Sequence, residues 1–155
     1  MTDTIESRLA ASNIVLPEAA APAANYLPYV ITGNLLFISG QLPMENGAIA
    51  VKGLLGRDVD VAAGQRAAEL CAINILAQTK AALGGDLERI VRLVKLSGYV
   101  ASEPNFTDQH LVINGASNLI ANLLGERGKH ARAAVGMACL PLNAAVEIDA
   151  VIEIG

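Results

Sequence analysis

The spacing of apolar and polar positions changes several times along the chain, and each change marks a predicted element. Ile5, Leu9 and neighbouring alanines suggest a short helix to about Asn13, with Asp3 and Glu6 as a capping pair, and this helix reads as an appendage. A Pro/Ala-rich connection without period follows at residues 17–25, and YLPYVIT and LLFISG then predict a hairpin around Gly33-Asn34. Residues 41–58 are rich in turn-formers, with AIAVK the only candidate strand. From Asp60, a plausible N-cap, Ala67, Leu70, Cys71, Leu76 and Ala77 fall at helical spacings up to Leu83, where Gly84-Gly85 ends the run. Asp86 caps a short turn, IVRLVKLSGYVAS predicts a strand, and Leu111, Val112, Leu119, Ile120, Leu123 and Leu124 form the stripe of a second helix from about Thr107 to Gly125.

The last stretch, His130 to Ala150, holds two runs of small and branched apolar residues about a Leu140-Pro141 corner. Read as a hairpin, it would place Arg132 of the first run and Glu147 of the second on one face. The element order predicts an α+β domain in which a mixed sheet carries two helices on one face. The strands are apolar at most positions rather than alternating, so the other sheet face needs a cover, and a second copy of the chain is the economical one.

Composition strengthens that last point. The chain has 155 residues, enough for one core, and 53% of them are hydrophobic while only 3% are aromatic. Every apolar run is broken by charge, Gly or Pro before it reaches membrane-spanning length, so the surplus reads as subunit interface. A start that carries Asp3 and Glu6 lacks the pattern of a signal peptide, and a cytoplasmic protein is expected. Cys71 and Cys139, without metal or redox spacing, read as buried thiols. The net charge of −4 argues against general nucleic-acid binding, and no membrane association is expected.

The chain lacks the GxSxG, HExxH, EF-hand and GxGxxG patterns, so attention falls on isolated charges. Arg127 and Lys129 suit a solvated turn that complements the end of the preceding helix. Arg132 is different: alternation puts it over Ala134, Gly136 and Ala138, small residues that leave room for a ligand. Its planar fork can grip a carboxylate by two charge-assisted bonds. Spacing alone leaves Glu147 open between a salt bridge to Arg132 and a proton-transfer role. His110 and His130 read as surface or structural histidines.

The ISGQLP segment after the first hairpin, Asn114, and above all AR-x-x-V-x-x-A-x-LP-x-x-x-x-VEI-x-A resemble the YjgF/RidA family, whose members are also labelled endoribonuclease L-PSP-like or translation-inhibitor-like. The resemblance spans about residues 20 to 154. It implies a chorismate-mutase-like fold for residues 17–155, with residues 1–16 as a helical extension, and a homotrimer with ligand clefts between subunits. It also implies hydrolysis of reactive 2-imino acids to 2-oxo acids and ammonia, without metal or organic cofactor. Carried over by motif, Arg132 would bind the substrate carboxylate and Glu147 would position the attacking water. Tyr26, Gly40, Asn114 and the backbone of Ala134 would complete the cleft. Ala133 and Ala134 stand where the deaminases often have a hydroxyl residue and a cysteine. Two other readings remain beside the deaminase: a carboxylate-binding protein without turnover, and the ribonuclease or translation inhibitor of the family label.

Overall fold

The computed structural model describes residues 2–155. Its centre is a five-stranded sheet in the order β1-β2-β7-β5-β6, formed by β1 (Tyr29–Thr32), β2 (Leu35–Gln41), β5 (Ile90–Ala101), β6 (Ala131–Met137) and β7 (Val146–Ile154). A separate pair, β3 (Met44–Glu45) and β4 (Ala48–Ile49), occupies the turn-rich region, so AIAVK contributes only its first two residues to a strand. Helices α2 (Val61–Ala82) and α3 (Gln109–Leu124) pack on each other and on the sheet, as the order of elements predicts.

Helix α2 forms where local signals agree. The Asp60 carboxylate accepts the Ala63 N–H, and the chain leaves the helix through Gly84 and Gly85 at φ 65° and 98°, which glycine adopts without a Cβ clash. Helix α3 starts at Gln109, two residues later than the apolar stripe suggests, with Asp108 before it making no side-chain cap. Between the two helices the backbones come close. Gly115 of α3 lies so near Gln65 that a Cβ there would run into the Gln65 carbonyl oxygen.

The N-terminal helix α1 (Ile5–Ala11) corrects two readings. Its cap is Thr4, whose hydroxyl accepts the Ser7 N–H in a reciprocal box, while Asp3 pairs with Arg8 at 2.6 Å. Nor is it an appendage in its packing, since Ile5 and Leu9, 1% and 3% exposed, belong to the same apolar core as the sheet and helices. Its first turn is also held by Glu88, whose carboxylate accepts the Ile5 N–H at 2.6 Å and pairs with Arg127 at 3.0 Å. These two contacts, the N–H of Ile5 first, hold the Glu88 carboxyl below the usual carboxylate range. Arg127 is thus tied to a partner rather than solvated in a turn. Leu9→Ala should cost about 2–4 kcal/mol in denaturant unfolding, because the cavity is added to the lost burial. A cost under about 0.5 kcal/mol, within the range of surface substitutions, would show that α1 contributes little to the fold.

The final two strands do not form a hairpin. Helix α3 is a crossover that returns the chain to lie parallel to β5, so β6 takes one edge of β5 and β7 pairs with the other, antiparallel. The connection between them crosses the end of β5. It is tied down by Gly53 N–H to Asn143 O at 3.0 Å, Ala145 N–H to Val51 O at 3.1 Å and Ala101 N–H to Ala145 O at 2.9 Å. Cys139 lies on this crossing and is exposed, against expectation, whereas Cys71 is buried in α2. No described helix is long and apolar enough to cross a membrane.

Along β7 burial alternates strictly: Val146, Ile148, Ala150, Ile152 and Ile154 are buried, while the residues between them are half-exposed. The face away from the helices therefore carries Glu147, Asp149, Val151 and Glu153. Register adds Phe37 opposite Val151, and Val30 opposite Phe37. Val30, Phe37 and Val135 are 49%, 42% and 43% exposed in the single chain. This open face has no cover within the chain.

Candidate functional site

The predicted residues fall into two groups on opposite faces of the sheet. Arg132 is level with Leu96 of β5, which pairs with Ala150 of β7, while Glu147 pairs with Tyr99. Strand β5 lies between them, and β6 and β7 are therefore two strand spacings, about 10 Å, apart. Arg132 reaches to the helix side and Glu147 to the open side. The shared face and the salt bridge considered from spacing are both absent within the chain.

Arg132 lies against α3. Its Nη1 donates to Asn114 Oδ1 at 2.9 Å and to Ser117 Oγ at 3.1 Å, and its Nη2 donates to the His110 carbonyl at 3.2 Å. An amide, a hydroxyl and a backbone carbonyl are all neutral, and Arg132 makes no ion pair with any described residue. Its charge is thus fixed in place but not neutralised. A guanidinium carries five N–H donors, and three engaged here leave Nε–H and one on Nη2; the Nε and Nη2 atoms form one edge of the plane. That edge can take both oxygens of a carboxylate.

Behind this arginine stands a second layer that the sequence reading did not assign to the site. His130 Nε2 is 2.9 Å from Ser117 Oγ, and His130 Nδ1 is 2.6 Å from the Gly128 carbonyl. The signals were available in principle. Ser117 lies three residues after Asn114 on a helix, and His130 two residues before Arg132, so each shares a side with a recognised residue. Ala134 also points toward the helices and packs on the core, and it sits in the sheet's edge strand, paired to Gly98 on one side only.

On the open face, Glu147 stands beside Asp149 and Tyr99, and the Tyr99 hydroxyl donates to Asp149 Oδ2 at 3.1 Å. Gly40 lies directly against Glu147, so close that a Cβ there would collide with the carboxylate oxygen and stand 3.0 Å from Glu147 Cδ. The same end of β2 is linked to Tyr26, because Ser39 Oγ donates to the carbonyl of the adjacent Leu27 at 2.6 Å. Tyr26 itself is exposed. The structure thus brings Arg132 together with Asn114, and Glu147 with Gly40, and joins neither pair to the other.

Partial burial, reinforced by the negative charge of Asp149, pushes the Glu147 carboxyl above its ordinary range. Tyr99 is likewise pushed up, first by burial and then by Asp149. Because the folded value of Glu147 exceeds the unfolded one, its protonated form favours folding. That contribution is complete below the ordinary carboxylate range and is lost as pH rises through the raised value. Glu147→Gln should therefore gain stability relative to the parent as pH rises from the ordinary carboxylate range through the raised value, read as the difference in denaturation midpoints. A difference that stays constant with pH would contradict the raised value.

Among the described residues, no group of three or more His, Cys, Asp or Glu stands close enough to hold a metal ion. A cavity of about 740 Å³ lies elsewhere, between the segment after α1, the β3–β4 turn and the outer side of α2, and includes none of the residues above.

Comparison with known proteins shows which family the fold belongs to. A family model described as "YjgF/chorismate_mutase-like, putative endoribonuclease" matches residues 6–154. Protein TCP17 of Trypanosoma cruzi is 49% identical over 97% of this chain and 94% of its own length. Among solved structures, the protein Atu1372 of Agrobacterium tumefaciens, described as of unknown function, is 68% identical, with TM-score 0.92 over 97% of this chain and 92% of that one. RidA of the Antarctic bacterium Psychrobacter is 29% identical, with TM-score 0.62 over 88% and 94%. With a family model matched over nearly its whole length and a helix-backed mixed sheet to go with it, the chain belongs to the YjgF/RidA, chorismate-mutase-like family.

Proposed function

We propose that this protein hydrolyses small reactive 2-imino acids to 2-oxo acids and ammonia, in clefts formed between copies of itself assembled as a cytoplasmic homotrimer. The observation that carries the reading is the state of Arg132, whose guanidinium is oriented by three neutral acceptors and left without a counter-ion. Such a group suits an acidic ligand, with Asn114 at the same position. The open face, with Val30, Phe37 and Val135 exposed around Glu147, suits burial against another subunit. Packing copies by this face would set the Glu147, Gly40 and Tyr26 group of one subunit opposite the Arg132 group of its neighbour.

In that cleft Arg132 would fix the acid end of the substrate, placing the imine carbon before a water held by Glu147. As the water oxygen bonds to carbon, one water proton passes to Glu147, which hands it to the imine nitrogen to give the neutral carbinolamine. In its collapse Glu147 takes the hydroxyl proton and delivers it to the amino nitrogen as the C–N bond breaks, so that ammonia and the 2-oxo acid leave together. A carboxyl with a raised pKa is suited to both directions of transfer. The scheme calls on no metal or organic cofactor.

A second reading, carboxylate binding without turnover, is favoured by one observation: the Arg132 clamp is complete within a single chain. Co-expression of Arg132→Ala and Glu147→Gln chains separates the possibilities. If each cleft takes Arg132 from one subunit and Glu147 from the next, random mixing leaves one half times one half, or about a quarter, of clefts intact. Mixed assemblies should release ammonia at about that fraction of the parent rate, while each single variant is inactive. A mixture as inactive as its components, beside an active parent, would overturn the shared cleft. A parent that binds 2-oxo acids through Arg132 but deaminates no imine would establish the second reading.

A further inference from the structure

Directionality in the hydrogen bonds behind Arg132 carries more than the clamp itself. The Gly128 carbonyl can only accept, so at 2.6 Å the proton of a neutral His130 ring must lie on Nδ1. Nε2 is then an acceptor, and the only proton for the 2.9 Å contact is the Ser117 hydroxyl, which must point at the ring. With its proton committed, Ser117 Oγ turns its lone pairs elsewhere, and Arg132 Nη1 donates into one of them at 3.1 Å. Every step is fixed by the one before it. The start of the chain is rigid, because Gly128 is buried and packed so tightly that a Cβ would stand 2.8 Å from the Ile120 carbonyl oxygen.

We propose that Ser117 and His130 are positioning residues for the Arg132 clamp: a one-way relay from the Gly128 carbonyl through His130 and Ser117 holds the guanidinium so that its Nε/Nη2 edge faces the ligand carboxylate. The inference rests on the reading of Arg132 as that clamp. Without the relay, Nη1 keeps Asn114 alone. The Ser117 hydroxyl, free to rotate, can then aim its proton at the guanidinium instead of a lone pair. The cost falls on the orientation of the fork and therefore on affinity for an acid, since Ser117 and His130 act through Arg132.

The test uses the full protein and pyruvate as probe, with binding measured by calorimetry. Ser117→Ala should weaken pyruvate by about 5- to 20-fold, less than the roughly 10- to 150-fold of one lost hydrogen bond to a charged group because Asn114 still holds Nη1, and Ser117→Thr, which keeps the hydroxyl, should restore most of it. His130→Ala should weaken binding less, and adding it to Ser117→Ala should change nothing further, because the relay is already cut. A merely structural role would show the same coupling in unfolding while leaving pyruvate affinity unmoved. Nitrogen NMR of the parent should show His130 protonated at Nδ1 with Nε2 as acceptor, and the Nε2 signal should shift in Ser117→Ala. An Nε2–H tautomer, or parent-like pyruvate binding in both single variants while Arg132→Ala binds none, would overturn the relay and leave the clamp standing. Parent-like binding in Arg132→Ala would instead remove the clamp, and the relay with it.

Discussion

Replacing Arg132 by alanine should abolish recognition of small carboxylates while leaving the fold in place. The two N–H groups on its open edge would each give a charge-assisted bond of about 1.5–3 kcal/mol, so the loss is about 3–6 kcal/mol, or about 10²- to 10⁴-fold in Kd. Unfolding should change little. The groups left behind, Asn114 Oδ1, Ser117 Oγ and the His110 carbonyl, lie at a partly exposed position where water can replace the guanidinium. Arg132→Lys keeps the charge but not the fork, and should fall between the two. Titration with a 2-oxo acid, alongside thermal unfolding, checks both halves. Loss of binding accompanied by an equal loss of stability would mean that Arg132 serves the fold instead.

A large effect on the fold is expected from the smallest substitution. Gly115→Ala in the interior of α3 would ordinarily stabilise a helix by up to about 1 kcal/mol. Here the added methyl meets the carbonyl oxygen of Gln65, a backbone atom that cannot rotate away. To accommodate it the two helices must separate, loosening a contact that also includes the 2.9 Å bond from Gln65 Nε2 to the Leu111 carbonyl. A net destabilisation of about 2–4 kcal/mol is expected in denaturant unfolding, at the upper end of what overpacking costs. The sign decides the matter, since a stabilised variant would show that the helices can part freely.

What could be read from the sequence was what is encoded locally. Helix α2 is bounded by Asp60 and Gly84-Gly85 and carries its own apolar period, so its limits were visible before any fold was known. The first hairpin, with its two-residue turn, was visible for the same reason. The corner at Leu140-Pro141 was misleading because a turn says that the chain reverses, not which strands become neighbours. Neighbours are set by the α3 crossover, which gives β6 to one edge of β5 and leaves the other for β7. Once that is known, Arg132 and Glu147 must part.

The N-terminal helix shows a different limit. Asp3 and Thr4 are both good caps, and the choice fell to Thr4 because Ser7 completes its box while Arg8 draws Asp3 away. That Ile5 and Leu9 reach the core depends on Glu88, far along the chain, holding the first turn. Cys139 is exposed although it lies in an apolar run, because that run crosses the end of β5 and an apolar stretch is not by itself a buried one. The site residues found by motif were those of the first layer. Ser117 and His130 could have been added from helix and strand periodicity, given Asn114 and Arg132 as starting points.

The position of Arg132 and Glu147 on opposite faces also bears on how such a protein can change over generations. Arg132 and its three acceptors lie on α3 and β6 of one chain, whereas Glu147 meets none of them within that chain. If the protein is the deaminase proposed above, substitutions on the open face would erase or redirect chemistry without disturbing recognition of the ligand. Binding would then be inherited with the fold, and turnover with the assembly. A lineage can thus shed one and keep the other, so that an intact arginine in a distant relative identifies what it holds before it identifies what it does.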